Sequence, residues 1–457
     1  MELDLNRGMY RLISFIVALG FLNALLAEDL EYSFIKKGYD DNNTVLVIGG
    51  IQGDEPGGFL AASLLATDYN ITKGSVWVVP NLNFASIIKR DRGIYGDMNR
   101  KFDYISSNDP DLKSVQGIKD LIVDQNVSLI LNLHDGSGFY RPTYINDMEN
   151  PRRWGNSSII DQVSLDGVPY GNLEEIASRV VSKINEKALK DQHKYYIRNT
   201  QTAKGDKEML KSLTYFAIKK GKAAFANETS KSLPSHERAY YHLLAIEEYL
   251  KVAGIEFERN FDLTPRGVKN AIEKEIEIVL FDNKFFLSLD HPRARIGYVP
   301  IPKNIALEYN ASNPLTALVK DKDGYSVHYG NRVLTKLVPE YFKYSSSINK
   351  VGVEIDGNET REISLGSKIN VENSVKIIKQ DGIRVNFIGY GSQPIDESSI
   401  SIHKKNIKRN YSIDKKGKTF RVELYEQKDG EQDKFIGMFL VEFASLEAFT
   451  FVDVAGL

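Results

Sequence analysis

Apolar runs and amphipathic stretches alternate along the first half of the chain, from Glu31 to about Gly254. The runs "NTVLVIGG", "SVWVVPNL", "VSLILNLH", "KYYIRN" and "KAAFANE" are short, and most are near-continuously apolar. That is the pattern of strands buried on both faces. Between them, "PGGFLAASLLATD", "LKSVQGIKDLIVD", "LEEIASRVVSKINEKAL", "EMLKSLTYFAIKKG" and "SHERAYYHLLAIEEYLKVAG" read as helices. Together they predict an α/β domain over residues 28–255, a sheet covered by helices. After about Phe257 the texture changes to short alternating runs broken by Asn, Asp, Gly and Pro. These predict a small β domain over 256–345. Beyond the polar junction "YSSSINK", hairpins predict a C-terminal β-sandwich, Ig-like, over 346–457.

The first 27 residues stand apart. "MYRLISFIVALGFLNALLA" (Met9 to Ala27) has one Arg, an apolar middle and small residues before Glu28. That layout predicts a secretory signal peptide over 1–27, too short and weakly flanked for a stable transmembrane span. The acidic preface "MELDLN" points to Met9 as the start. A chain of 457 residues with a net charge of -2 lacks the basic excess of a polyanion binder, so no nucleic-acid partner is expected. The absence of cysteine removes thiolate metal sites and disulfides, which suits a periplasm where disulfides are allowed but not required. Five asparagines, Asn42, Asn70, Asn126, Asn310 and Asn358, sit in Asn-x-Ser/Thr sequons with an acidic residue two positions before them. Some bacteria glycosylate such sites, and chance in an Asn-rich chain is the competing explanation.

Candidate chemistry clusters at strand ends of the first domain. "GGIQGDEPGG" gives Gln52 and Glu55, and "RGIYGDMNR" gives Arg92, Asn99 and Arg100. "LILNLHDGSG" delivers His134 into a glycine loop, and "KAAFANETS" ends an apolar strand at Glu228. Each has a bland reading alone, such as a helix-start carboxylate for Glu55 or a hydrogen-bonded structural histidine for His134. Four polar groups in one domain, each near the end of an apolar strand, shift the weight toward a site. Trp154, in the loop "NPRRWGNSS", is either a substrate contact or a packing ring. The other histidines show no ligand spacing, and "HKKNIKR" reads as a solvated hairpin face or a contact with an anionic wall surface.

That order and spacing resemble the zinc carboxypeptidase superfamily, most closely its aspartoacylase and succinylglutamate desuccinylase branch, over about residues 30–255. There the first loop reads His-Gly-x-Glu, an Arg precedes Asn-Arg by seven residues, and later strands deliver a His and the catalytic Glu. Here Arg92 precedes Asn99 by seven, and only Gln52 departs from the pattern. Glutamine at that position is similar to the periplasmic DL-carboxypeptidases that trim peptidoglycan and set the shape of helical and curved bacteria. Those enzymes also carry a signal peptide and two C-terminal β domains.

The resemblance implies a carboxypeptidase-like mixed sheet and one zinc ion per chain, held by Gln52, Glu55 and His134. It implies Glu228 as general base and Arg92 as oxyanion stabiliser. Asn99 and Arg100 would hold the terminal carboxylate, with Thr214 in the pocket lining. The implied partner is the peptidoglycan stem peptide, the muramyl tripeptide L-Ala-γ-D-Glu-meso-diaminopimelate, cut to a dipeptide. Gln52 is neutral as imidazole is, so the charge at the metal would be unchanged, though an amide oxygen is a harder, weaker donor. Two rival expectations remain: a deacylase of N-acyl amino acids, and a non-catalytic wall-binding protein in which Gln52 marks a lost metal. The β domains are expected to serve packing, or targeting to partner proteins.

Overall fold

In the computed structural model, residues 25–26 and 30–444 are described, apart from 40, 206, 303–306, 392–395 and 429. The signal-peptide stretch lies outside the described residues except for the backbone of Leu25–Leu26. Among the described residues, no helix is long and apolar enough to cross a membrane.

Seven strands form the central sheet: β1 (Ile35–Gly38), β2 (Thr44–Ile48), β3 (Ser75–Val79), β4 (Val127–Gly136), β5 (Ser157–Ile160), β6 (Tyr196–Asn199) and β7 (Ala223–Ser230). Their order is β6-β5-β7-β4-β2-β3-β1. The four central strands β7, β4, β2 and β3 run parallel, whereas β5 lies antiparallel to β7 and β1 antiparallel to β3. The sheet is therefore mixed. Val45, Leu46, Val47 and Ile48 of β2 are all fully buried, as continuous apolar runs demand of a sheet covered on both faces. Because the central strands are parallel, their carboxyl ends open on one side, and the candidate residues gather there.

The helices are α1 (Pro56–Asp68), α2 (Phe84–Lys89), α3 (Leu112–Val123), α4 (Leu173–Asn185), α5 (Leu213–Lys219), α6 (Ser235–Val252) and α7 (Pro265–Ile272). Pro56 starts α1, where its fixed φ suits the first turn. Gly57 is required there: a Cβ would stand 2.4 Å from Asp135 Oδ1. The helix is buried almost all round, because α6 packs along it and the middle β unit covers part of the side that the sheet leaves free. Gly330 presses on the Phe59 ring, and the Ser63 hydroxyl donates to Asn313 Oδ1 at 3.0 Å. One hydrophobic core thus runs from the α/β unit into the middle β unit, and a second fills the C-terminal unit.

Two stretches differ from the pattern read in the sequence. "EMLKSLTYFAIKKG" folds as a single turn followed by the short α5, because Ser212 caps a new start by accepting from the Tyr215 N–H at 3.2 Å. In the stretch read as β, Thr264 caps α7 by accepting from Gly267, with Pro265 at its first position. This helix buries Val268 and Ile272 in the first core. Beyond it the chain is strand-rich. The strand Arg332–Tyr344 pairs with Gly324–Tyr329 and Arg295–Pro302, and its last two residues pair with Lys434–Phe443, joining the middle and C-terminal sheets. The second core is filled by residues of two facing sheets, as in a sandwich.

Candidate active site and metal centre

A cleft of about 310 Å³ opens at the carboxyl ends of the central strands. All nine residues singled out from the sequence line it: Gln52, Glu55, Arg92, Asn99, Arg100, His134, Trp154, Thr214 and Glu228.

Gln52, Glu55 and His134 converge within the protein. His134 Nδ1 lies 3.2 Å from Gln52 Oε1 and 3.0 Å from Glu55 Oε2. Burial alone would depress the imidazole, but the Glu55 carboxylate holds it above its ordinary value. One ring nitrogen faced by two oxygens is a place that favours a cation. The glutamine is oriented for this: its Nε2 donates to Asp97 Oδ1 at 2.8 Å. Only the amide NH₂ can donate to a carboxylate, so the oxygen must face the imidazole. Asp97 also pairs with Arg92. Burial works against its charge, yet the Gln52 hydrogen bond and Arg92 keep its carboxyl below the usual range.

On the other side of the ring, Asn132 Nδ2 lies 2.8 Å from His134 Nε2, while Asn132 Oδ1 is buried without a partner. Asn132 can therefore serve either tautomer. Turned over, its oxygen accepts from Nε2–H and leaves the Nδ1 lone pair aimed between Gln52 and Glu55. Among the described residues no group of three His, Asp or Glu is placed to hold a metal. The set here has two ionisable donors and one oriented amide, and it fits a metal that keeps an open position.

Glu228 faces this centre from the neighbouring strand, in register with His134. Its Oε2 is buried with no partner, and burial pushes its carboxyl up to about 8. Gly136 makes the room, since a Cβ there would meet Trp154 Cβ at 2.5 Å and Glu228 Oε2 at 2.8 Å. Arg92 reaches Glu55 Oε1 at 3.3 Å. Arg100 donates to the Asn99 carbonyl at 3.1 Å, and its Nε stands 3.6 Å from Glu208 Oε2. The Asn99 amide is committed to structure, its oxygen accepting from Leu213 N at 3.0 Å. The guanidinium of Arg198 stacks 3.5 Å above the Trp154 ring centroid, so that ring is both packed and part of the cleft wall. Thr214 is buried at the start of α5.

The sequence reading missed Asp97, Asn132, Asp135 and Lys231. Asn132 had a legible signal: it is a polar residue inside an apolar strand, two before His134 and so on the same face. Lys231, at 2.5 Å from Asp54 and 3.6 Å from Glu55, adds a third cation to the cleft. Asp135 borders the cleft, and its side chain is fully buried. It accepts from Gly57 N, Thr229 Oγ1 and Arg238 NH1 at 2.8, 2.6 and 2.8 Å, and its Oδ1 stands 3.2 Å from His242 Nε2. Burial alone would raise its carboxyl, but His242 and Arg238 bring it down to about 2. It ties the loop carrying Glu55 to the strands carrying His134 and Glu228. Asp135→Ala would leave Arg238 uncompensated in a largely buried place, at a cost of about 3–5 kcal/mol. A urea unfolding midpoint unchanged from the parent would refute that role.

Three parallel strand ends supply the polar groups of one cleft. With the family matches, this makes the chain a metallo-carboxypeptidase, an enzyme that hydrolyses a peptide bond. Residues 7–273 match the family described as "Carboxypeptidase controlling helical cell shape catalytic", and residues 344–444 match "C-terminal domain of metallo-carboxypeptidase". The chain belongs to that family of cell-shape carboxypeptidases. Solved structures of the cell shape determinant protein Csd4 from Helicobacter pylori are similar. Its product-bound and tripeptide-bound forms are each 38% identical with a TM-score of 0.83, covering 91% of this chain and 100% of theirs. A form with bound mDAP, described as a D,L-carboxypeptidase, is 38% identical with a TM-score of 0.83 over 90% of this chain and 100% of its own. Comparison with curated protein sequences finds no match.

Proposed function

We propose that the chain is an exported, zinc-dependent DL-carboxypeptidase of the periplasm that cuts the peptidoglycan tripeptide L-Ala-γ-D-Glu-meso-diaminopimelate, releasing diaminopimelate. The observation that carries this reading is the convergence of an oriented Gln52, Glu55 and His134 opposite Glu228, whose Oε2 is buried without a partner. The tripeptide and mDAP bound to the Helicobacter protein support the substrate.

Gln52 Oε1, Glu55 and His134 Nδ1 would hold the zinc. When bound, it would supply Lewis acidity toward the scissile carbonyl and lower the pKa of water. Glu228 takes a proton from the attacking water and returns it to the leaving amine of diaminopimelate. Arg92 stands beside Glu55 and stabilises charge developing on the D-Glu carbonyl oxygen. Arg100 reads the terminal carboxylate, with Asn99 fixing the backbone carbonyl to which its guanidinium is tethered. The middle β unit braces these loops: Asn81 Nδ2 donates to the Pro314 carbonyl and Arg90 to that of Asn331.

Purified muropeptides incubated with the protein and zinc should show tripeptide converted to dipeptide by mass. Turnover of N-acyl amino acids without muropeptide cleavage would point instead to a deacylase, and retention without turnover to a wall-binding protein. Arg100→Ala should slow cleavage of the free tripeptide by about 10- to 100-fold, the size of a charge-assisted hydrogen bond. A C-terminally amidated analogue, already poor, should change little. Equal losses on both substrates would show that Arg100 does not read the carboxylate.

A further inference from the structure

The chain contains eight Asn-x-Ser/Thr sequons, and five of them carry Asp or Glu two residues before the Asn. The other three, at Asn156, Asn227 and Asn410, have Trp154, Phe225 and Lys408 there. With 61 acidic residues in 457, about one of eight would carry an acid by chance. Local structure accounts for part of the excess. Asp124 accepts from the Asn126 backbone N–H at 2.9 Å, an ordinary Asx turn. Asp356 accepts from the N–H groups of Glu372, Asn373 and Ser374. Asp68, before Asn70, accepts from the Thr67 hydroxyl at 2.6 Å and pairs with Lys274 Nζ at 3.4 Å.

We propose that Asn42, Asn70 and Asn358 are acceptors for an N-linked glycan added outside the cytoplasm. The inference rests on the export proposed above. The co-reactant is an oligosaccharide carried on a lipid diphosphate. The asparagine amide nitrogen forms a bond to the anomeric carbon, the bond from that carbon to the diphosphate oxygen breaks, and the lipid diphosphate leaves. One amide proton is lost in the exchange. A transferase that reads this longer signal would hold the peptide by the hydroxyl two residues after the Asn and by the carboxylate two residues before it, the latter against a cation.

The fold selects three of the five. Asn42, Asn70 and Asn358 are exposed, so a glycan on each would project into solvent. Asn126 and Asn310 are half-buried, and Asn310 Oδ1 is fully enclosed. Asn358 lies in the turn between the strands Lys350–Ile355 and Glu359–Ser364, where 357–360 are all exposed. Asn70 lies on Tyr69–Lys73, just past the end of α1. Glu55 sits at the other end of that 13-residue helix, so roughly 20 Å separates the cleft from this acceptor. Thr44 is fully buried and Asp68 nearly so. The signals at Asn42 and Asn70 are therefore readable only before the fold closes, and transfer acts on the chain as it emerges from export.

The test is the intact mass of the chain from the periplasmic fraction of its own cells, with peptide mapping. The expected mass exceeds that of the polypeptide by up to three equal increments, placed at Asn42, Asn70 and Asn358. The triple variant Asn42→Gln, Asn70→Gln, Asn358→Gln should show the bare mass and keep full turnover of the tripeptide. Thr72→Val should remove one increment and Thr72→Ser should retain it, which a modification unrelated to the sequon would not do. A bare parent mass in the periplasm overturns the glycan inference and leaves export standing. A bare, cytoplasmic chain overturns both. Increments that persist in the triple variant overturn the assignment.

Discussion

Glu228→Gln is expected to lower turnover of the tripeptide by about 10²-fold or more, at least about 3 kcal/mol of barrier, while zinc content stays normal. The substitution keeps the size of the side chain and most of its polarity. It removes the one thing the mechanism asks of this residue, which is to accept a proton. Glu228 is placed for that by strand pairing, since β7 runs parallel to β4 with Glu228 beside His134. Gly136, on the paired strand, leaves room there, since a Cβ would stand 2.5 Å from Trp154 Cβ and 2.8 Å from Glu228 Oε2. Burial moves its carboxyl up to about 8, and a cation at the adjacent centre favours the carboxylate. The two influences together bring the group toward the range in which one residue can both take and return a proton near neutral pH. Rate and bound metal should therefore separate in this variant. Zinc lost along with activity would make Glu228 a ligand rather than a base.

Residues whose place in the cleft follows from position along one strand were legible in the sequence. Glu55, His134 and Glu228 stand at or just beyond the ends of apolar runs, and parallel strands bring such ends together. The helix pattern was legible for α1, α3, α4 and α6 for the same reason, a continuous periodic or apolar stretch. The short helices were not. α2 has six residues, and α7 starts from a Thr-Pro pair inside a stretch whose texture is otherwise that of strands. The cover on α1 was present in "GGFLAASLLATD", apolar all round, which a helix on the surface of a sheet does not need to be. Asp97 was the hardest to see. It lies within the stretch that supplied Arg92 and Asn99, but its importance depends on Gln52, 45 residues earlier. No periodicity reports a hydrogen bond between two loops.

That hydrogen bond decides what Gln52 should do when changed. Gln52→Ala removes one of three proposed donors and leaves Glu55 and His134 alone, so zinc affinity and turnover should both fall. A two-donor protein site is below the three that catalytic zinc centres use, and a loss of about tenfold or more in affinity is expected, comparable to what even outer partners of a ligand contribute. Gln52→His supplies an imidazole nitrogen in place of the amide oxygen, and metal binding should hold or tighten. Asp97 would then accept from the ring N–H in place of the amide, as carboxylates behind ligating histidines do. Asp97→Ala separates orientation from ligation: Gln52 keeps its oxygen but loses the contact that aims it, so affinity should fall in the Gln52 parent by less than in Gln52→Ala. The measurement is metal content after dialysis against a weak chelator for the parent and the three variants. If Gln52→Ala retains zinc as well as the parent, the glutamine is a turn residue, its contact with Asp97 serves the loop alone, and the metal centre must be sought without it.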